Sequence, residues 1–311
     1  MTELSKEGEE HALKREVGWY GSFAMGYADV GADLYVAIGL VAFYAAGASP
    51  FAFGIASIAY VCTGLAYAEL ATAYPYAGGA HVYSMKAFND MIGFVAGWAD
   101  MLDYTVDIAL FSLASAGYLS YFFPWLKRSF FVVSMFSLDL RSSYIGFGAF
   151  LLVAALLLLN SIGIRESSAF NELLVSLDLV VESTILVTGI LLAFGLMLFL
   201  SQVIDFGAPS LFSHIVYVMP NLGTQTQNFV YGITLAMTSF IGIESIAQAA
   251  EETKRPQRWI PRANKLSIVA VVVFAVGLST LSMGLMPWQE LAAAQTDPMA
   301  AIASRIPYLG H

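Results

Sequence analysis

The segment GYADVGAD, Gly26–Asp33, lies in the middle of a long apolar stretch and combines two aspartates with two glycines. An aspartate at the centre of a bilayer costs roughly 2.5–3.5 kcal/mol on insertion scales, so it needs polar surroundings. Glycine weakens a helix at the same place. We therefore expect this membrane helix to be locally unwound, with the freed backbone lined by protein or water and not by lipid.

A second segment, TSFIGIES at Thr238–Ser245, repeats the combination of a glycine and an acid within an apolar stretch. Glycine-interrupted spans in different parts of a chain are typical of the binding site of secondary transporters. Freed N–H groups suit a carboxylate, and freed C=O groups suit an ammonium group or a cation. The alternative is that the glycines are packing contacts between helices and that the acids face small water pockets.

The whole sequence predicts an all-α membrane protein. Of the 311 residues, 58% are hydrophobic and only 12% are charged, and the mean hydropathy is +0.70. A bilayer core needs about 20 mostly apolar residues in a helix, and runs of this length without period-two alternation do not form strands. Seven such runs lie at Trp19–Gly47, Phe51–Ala73, Ile92–Phe123, Tyr144–Gly163, Asn171–Ser201, Phe229–Ala250 and Leu266–Pro287.

The basic residues predict a cytoplasmic N-terminus in the cell membrane. In that orientation 10 of the 14 Lys and Arg residues lie in cytoplasmic segments, in line with the positive-inside rule. The expected organisation is a cytoplasmic arm (residues 1–16), a transmembrane domain of about seven helices (17–287) and an extracellular tail (288–311). The lipid bilayer is then a partner of the chain.

Other function classes find no support in the sequence. With 14 basic against 23 acidic residues, nothing indicates binding to nucleic acid. Four His and one Cys predict neither a metal site nor a disulfide framework, and we expect no cofactor. Hydrolase and phosphate-loop motifs are absent from the sequence, which argues against an enzyme.

Several motifs in order resemble those of the amino acid–polyamine–organocation (APC) superfamily. The first-span signature of that superfamily is similar to GADLY at Gly31–Tyr35. Its second-span and loop motif resembles the sequence of Tyr67–Ala71 followed by Tyr74–Tyr83. The string after its sixth span resembles Phe240–Ser245, Ala250–Pro256 and Ile260–Ala263.

This resemblance implies a leucine-transporter-like fold of inverted repeats, 5+5 helices, of which this chain would hold the first repeat and the first two helices of the second. It implies secondary active transport of amino acids or related amines by alternating access, ion- or exchange-coupled, around a site between broken first and sixth helices. Phe240 would form a lid over the bound side chain. The implied substrate-binding residues are Val30, Gly31, Ala32, Asp33, Ser239, Phe240, Ile241 and Gly242.

Two departures from the superfamily pattern leave the coupling ion, H⁺ or Na⁺, open. Asp33 replaces a glycine of the signature, which favours a substrate with an additional cationic group or an aspartate that carries the coupled proton. Asp178, which shares a helical face with Glu182, stands where many proton-coupled relatives have lysine. Asp100 likewise shares a face with two acids of the third span. The coupling or gating candidates are Asp29, Asp103, Asp107, Asp178 and Glu244.

The length is a third departure, because complete relatives continue for further helices. We expect a chain truncated after the seventh helix. The alternative function is that of a truncated or regulatory multi-pass fragment without transport activity of its own.

Overall fold

The computed structural model describes residues 15–135, 138–191, 223–294 and 297–306. Most of the predicted N-terminal arm, the last part of the predicted fifth span and the end of the predicted tail therefore lie outside the described residues. Within these ranges the helices are α1 (Trp19–Ala45), α2 (Ser49–Ala73), α3 (Ala80–Ala87), α4 (Asp90–Phe122), α5 (Tyr144–Ile162), α6 (Ile164–Leu191), α7 (Thr224–Thr238), α8 (Ser245–Gln248), α9 (Pro256–Leu285), α10 (Trp288–Ala293) and α11 (Pro298–Ser304).

Five of these helices, α1, α2, α5, α6 and α9, are long and apolar enough to cross a membrane by length and composition. Helix α4 is also long, with 33 residues, but it carries the three aspartates of the predicted third span. Large apolar side chains such as Phe94, Phe150 and Val180 lie exposed on α4, α5 and α6, as expected for surfaces that face lipid. The prediction of an all-helical membrane domain is confirmed for the spans.

The predicted interruption of the first span is wrong. Helix α1 continues without a break through Gly26–Asp33, and none of its glycines has a positive φ. Gly26 acts in packing instead, because a Cβ there would lie 2.4 Å from Ile246 Cδ1, whereas a Cβ at Gly31 would have its nearest neighbour at an ordinary 3.6 Å, on Tyr27. Gly26 therefore leaves room between α1 and α8 for the side chain of Ile246, which would have to shift to admit a larger residue.

The predicted interruption of the sixth span is confirmed. Helix α7 ends at Thr238, and the chain passes through the turn Ser239–Glu244 before the short helix α8 begins. Gly242 adopts φ 121° within this turn, a conformation that residues with a Cβ rarely take. We call Ser239–Glu244 the interruption from here on.

Helices α6 and α9 begin furthest ahead of the apolar runs that predicted them. Helix α6 begins at Ile164, directly after Gly163 at φ 156°, whereas the fifth run was expected from Asn171. Helix α9 begins at Pro256, ahead of the run expected from Leu266. In both cases the first turns are polar or charged, so a scan for apolar residues passes over them, although proline at the first helical position favours the start of α9.

Helix α1 forms the centre of the described bundle. It packs against α9, α7, α6 and α10, while α4 packs mainly against α3 and α5. Between α4 and α5 the chain forms a 3₁₀ turn at Pro124–Lys127 and an antiparallel hairpin of β1 (Ser129–Met135) and β2 (Leu138–Ser143). The hairpin lies outside the predicted spans, so it leaves the helical assignment of the membrane segments unchanged.

Candidate functional site

The amide groups of the interruption are mostly engaged within the chain. The N–H groups of residues 239–241 donate to carbonyls of α7 at 3.1–3.3 Å. The N–H of Gly242 donates to Glu244 Oε2 at 3.1 Å. These amides are therefore not free to bind a substrate carboxylate.

The carbonyl groups of the interruption differ from its amides. The oxygens of Ser239, Phe240 and Ile241 accept no backbone hydrogen bond from any residue that the structure describes. The oxygen of Gly242, in contrast, accepts the Ser245 hydroxyl at 2.7 Å. An apolar interior penalises unpaired carbonyls, so three of them in sequence suit a donor from outside the chain, such as an ammonium group.

Helix α1 meets the interruption at Asp29. A Cβ at Gly242 would lie 2.9 Å from Asp29 Cβ and 2.8 Å from its carboxyl carbon, so this acidic side chain rests directly on the glycine backbone. Ser245 is a polar neighbour of the same carboxylate. The absence of a side chain at Gly242 thus permits both the unusual φ and the contact with α1.

Five carboxylates from three parts of the fold act electrostatically on one another: Asp29 and Asp33 on α1, Asp103 and Asp107 on α4, and Glu244 in the interruption. We call these five residues the acidic cluster. The only ion pair in the described part of the chain joins α10 to the residue after α11, so no basic side chain in that part pairs with the cluster. Within the same ranges, no group of three or more potential ligands could hold a metal ion. A cationic group placed among these five acids would offset their mutual repulsion, so the cluster favours such a group.

Two cavities lie on either side of Phe240. The larger has a volume of about 410 Å³ and is lined by Ala56, Ala59, Tyr60, Thr63, Tyr67, Ala99, Asp100, Asp103, Met237, Phe240, Ile241, Ile243 and Glu244. The smaller has a volume of about 10 Å³ and is lined by Tyr27, Val30, Gly31, Leu34, Glu182, Ser239, Phe240, Val271, Phe274 and Ala275. The larger volume is in the range of small-molecule pockets, and the smaller matches roughly one water molecule.

Phe240 is the one residue that lines both cavities. Its ring stacks on Tyr60 with centroids 5.0 Å apart and meets Phe53 edge-on at 6.3 Å. Only 6% of the residue is exposed. The ring therefore forms a wall between the two cavities, held by aromatic contacts to α2.

The predicted site residues fall into three groups. Val30, Gly31, Ser239 and Phe240 line the smaller cavity, and Phe240, Ile241, Asp103 and Glu244 line the larger one. Ala32, Asp33, Gly242, Asp29 and Asp107 line neither of these two cavities. Asp178 lies apart from the acidic cluster, where Tyr35 donates to its Oδ1 at 2.5 Å.

Glu182 was not among the residues predicted for the candidate site, yet it is fully buried and lines the smaller cavity. Tyr27 of α1 donates a hydrogen bond to its Oε2. Tyr20 and Ser176 join the same two helices at 2.7 Å. The sequence signal was the spacing of Asp178 and Glu182, four residues apart on one helical face, but the tyrosines that face them are about 150 residues away in the chain.

A contact outside the membrane segments ties the start of α1 to the chain after α8. The N–H of Val17 donates to the oxygen of Glu252 at 3.0 Å, and the N–H of Lys254 donates to the oxygen of Val17 at 3.1 Å. Between them Thr253 is buried, with its hydroxyl 3.2 Å from that of Ser22. Burial also raises the pKa of Glu252 above its ordinary value. The first and sixth spans are therefore joined at this end as well as at Asp29.

A bundle of membrane-length helices, with one span interrupted beside a polar cavity, is typical of helical membrane transporters. Comparison with known proteins makes the assignment specific: the family model described as amino acid permease matches residues 17–307. The chain belongs to this family and hence to the APC superfamily. It is a multi-pass membrane protein, of a family of permeases and not of enzymes.

Curated relatives from bacteria and plants are similar over most of this chain. The branched-chain amino acid permease BcaP of Bacillus subtilis (strain 168) is 25% identical over 91% of this chain and 57% of its own. The chloroplastic cationic amino acid transporter 9 of Arabidopsis thaliana is 28% identical over 90% and 47%. The low-affinity putrescine importer PlaP of Escherichia coli (strain K12) is 27% identical over 74% and 45%. The chain thus spans about half the length of the curated relatives it matches.

Proposed function

We propose that this protein carries out secondary active transport of amino acids or related amines across the membrane, with the substrate held between the continuous helix α1 and the interruption. Membership of the amino acid permease family supports the reaction class. Relatives named for branched-chain amino acids, cationic amino acids and putrescine support a substrate with an ammonium group, the feature that these compounds share.

The observation that carries the proposal is the set of three carbonyls in the interruption, beside the acidic cluster, that accept no backbone hydrogen bond from a described residue. An ammonium group has three N–H donors and no acceptor. Carbonyl oxygens and carboxylates together supply both its hydrogen bonds and its counter-charge. The amides of residues 239–242 are engaged, so the interruption is suited to the amino end of a substrate more than to its carboxylate.

Each predicted substrate-binding residue receives a role on this basis. Ser239, Phe240 and Ile241 offer their carbonyl oxygens, and Gly242 provides the turn that exposes them. On α1, Asp33 adds negative charge, while Val30, Gly31 and Ala32 provide the surface on which the rest of the substrate lies. Their amides belong to a continuous helix, so we give them no part in binding a carboxylate.

Phe240 is proposed as the gate between the two cavities. Its ring separates the larger cavity from the small one beside Gly31 and Ser239. Rotation of this ring would merge the two spaces, and alternating access requires such a barrier to move. The gating and coupling candidates Asp29, Asp103, Asp107 and Glu244 surround the path, whereas Asp178 lies on the α1–α6 side.

The topology, the coupling and the repeat organisation that we propose are those predicted from the sequence. The chain crosses the cell membrane about seven times with a cytoplasmic N-terminus, as its basic residues predict. Transport is coupled to H⁺ or Na⁺ or to exchange of a second substrate. Helices α7 and α9 would begin a second repeat that is inverted with respect to the first.

Uptake by purified protein in proteoliposomes tests this function with radiolabelled leucine, arginine and putrescine as separate probes. We expect saturable uptake of at least one probe, and loss of at least tenfold in that uptake for Phe240→Ala. The matched control is Phe150→Ala on α5, whose side chain is 66% exposed and should tolerate the change. Failure of all three probes to enter, or equal uptake by Phe240→Ala and wild type, would overturn the proposal.

A further inference from the structure

Glu182 is the one acidic side chain in the described part of the chain that is wholly shielded, with 0% of its surface exposed. Its Oε2 accepts the hydroxyl of Tyr27. Its Oε1 is buried and has no hydrogen-bond partner among the described residues. A carboxyl group so placed uses only half of its hydrogen-bonding capacity.

No positive charge compensates Glu182 within the described ranges, since its only acidic or basic neighbours are other acids and phenols. The titratable groups that face it are Tyr27 and Tyr35 on α1 and Asp178 on its own helix. The interruption and α9 contribute Ser239, Phe240, Val271, Phe274 and Ala275 to the same surroundings, and none of these titrates. An isolated ionised carboxylate in an apolar interior is so costly that the group takes up a proton instead.

The small cavity lies directly beside Glu182. Glu182 shares this cavity of about 10 Å³ with Gly31, Ser239 and Phe240, which are substrate-binding residues in the proposed function. The space holds about one water molecule. Any movement of the interruption or of the Phe240 ring would change the volume and the hydration around the carboxyl group.

We infer that Glu182 is a proton-binding site, which holds a proton on Oε1 while the small cavity is closed and releases it to water when the cavity opens. The inference rests on the transport function proposed above and assigns H⁺ as its coupling ion. The chemistry is a single protonation: the carboxylate gains H⁺ to form a carboxyl group, Tyr27 keeps donating to Oε2, and the new O–H points into the cavity. Opening reverses the step and returns H⁺ to the solvent on that side.

Proteoliposomes with an imposed pH gradient and the membrane potential held at zero test the coupling. With one proton moved per substrate, a gradient of one pH unit supports about tenfold accumulation. We expect wild type to reach about this ratio for the probe that it transports, and Glu182→Gln to reach a ratio of about one while still exchanging labelled for unlabelled probe. Glu166→Gln is the matched control, because it makes the same change on the same helix at an exposed position.

Infrared difference spectra between low and high pH test the proton itself, without any transport. Protonated carboxyl groups absorb apart from carboxylates, so Glu182→Gln should remove one carbonyl band that Glu166→Gln retains. Tyr27→Phe should shift that band, because the carboxyl group loses its hydrogen bond.

The two measurements separate the two proposals. Accumulation by Glu182→Gln equal to that of wild type, or a carbonyl spectrum unchanged by Glu182→Gln, would overturn the proton site and leave the transport function standing. Absence of uptake of all probes by wild type would overturn the transport function, and the infrared spectra would still decide whether Glu182 binds a proton.

Discussion

The segments Gly26–Asp33 and Thr238–Ser245 have similar compositions and different structures. Each places glycine and an acid in the middle of a span, yet α1 continues through the first segment and the chain is interrupted in the second. The difference lies in where the backbone groups find partners. In the sixth span the Glu244 carboxylate accepts a hydrogen bond from the N–H of Gly242, and the Ser245 hydroxyl donates one to the carbonyl of Gly242. In the first, no described side chain bonds to the backbone of the segment, so the helix must supply those bonds itself.

The comparison shows that glycine and an acid are not sufficient to interrupt a membrane helix. What distinguishes the sixth span is a carboxylate and a hydroxyl that bond to the backbone of the glycine itself, because these bonds replace the lost helical hydrogen bonds. In the first span the acids point to other elements, and the glycine at 26 provides room for Ile246. The continuous helix α1 therefore packs against the interrupted sixth span.

Gly242→Ala should have the largest effect. A side chain at φ 121° is strained, and its Cβ would lie 2.8 Å from the carboxyl carbon of Asp29. Strain and overpacking together should cost roughly 2–6 kcal/mol. We expect a marked fall in the midpoint of unfolding by sodium dodecyl sulfate and loss of uptake in proteoliposomes.

The control for this substitution is Gly54→Ala on α2, where an added Cβ meets no atom within 4 Å and φ is not positive. It should leave the unfolding midpoint close to that of wild type. If Gly242→Ala were as stable as this control, the interruption would not depend on the glycine conformation, and the contrast between the two spans would be lost.

The difference between the two spans could be predicted only in part from local sequence. The interruption at Ser239–Glu244 was predictable because its glycine, hydroxyls and acid are neighbours in the chain. The role of Gly26 within a continuous α1 was not, because its contact is with Ile246, more than 200 residues away. The same limit explains why Glu182 was left out of the candidate site, since its partner Tyr27 lies 155 residues away in the sequence. The starts of α6 and α9 were missed because charged first turns hide them from a search for apolar runs.

Glu244→Ala should have the next largest effect, because it removes the acceptor for the Gly242 amide. A buried N–H without a partner costs about 1–3 kcal/mol. Glu244→Gln retains a carbonyl oxygen at the same place, so it should unfold closer to wild type in the same titration. Equal destabilisation by both variants would show that the charge of Glu244, and not its acceptor, holds the interruption together.

Asp29→Asn tests whether the charge of Asp29, and not only its packing on Gly242, contributes to binding of an ammonium group. The proposed ammonium site loses one negative charge while the packing on Gly242 is kept. A loss of about 1–2 kcal/mol of attraction corresponds to a change of about fivefold to thirtyfold. We expect the KM for each probe that enters to rise by about this factor, because every probe presents an ammonium group to the site. Asp90→Asn, at an exposed position in the first turn of α4, should leave these values near wild type, and an unchanged KM for Asp29→Asn would remove this carboxylate from the proposed site.

Gly31→Ala should have the smallest effect, and it should raise the stability of the protein slightly instead of lowering it. The residue lies within continuous helix, and the nearest atom to an added Cβ would be 3.6 Å away on Tyr27, which is an ordinary contact. Alanine in a helix is favoured over glycine by roughly 0.5–1 kcal/mol, so the unfolding midpoint in sodium dodecyl sulfate should rise slightly. A fall comparable to that of Gly242→Ala would mean that α1 is unwound at this point, as its composition first suggested, and that the two spans are alike after all.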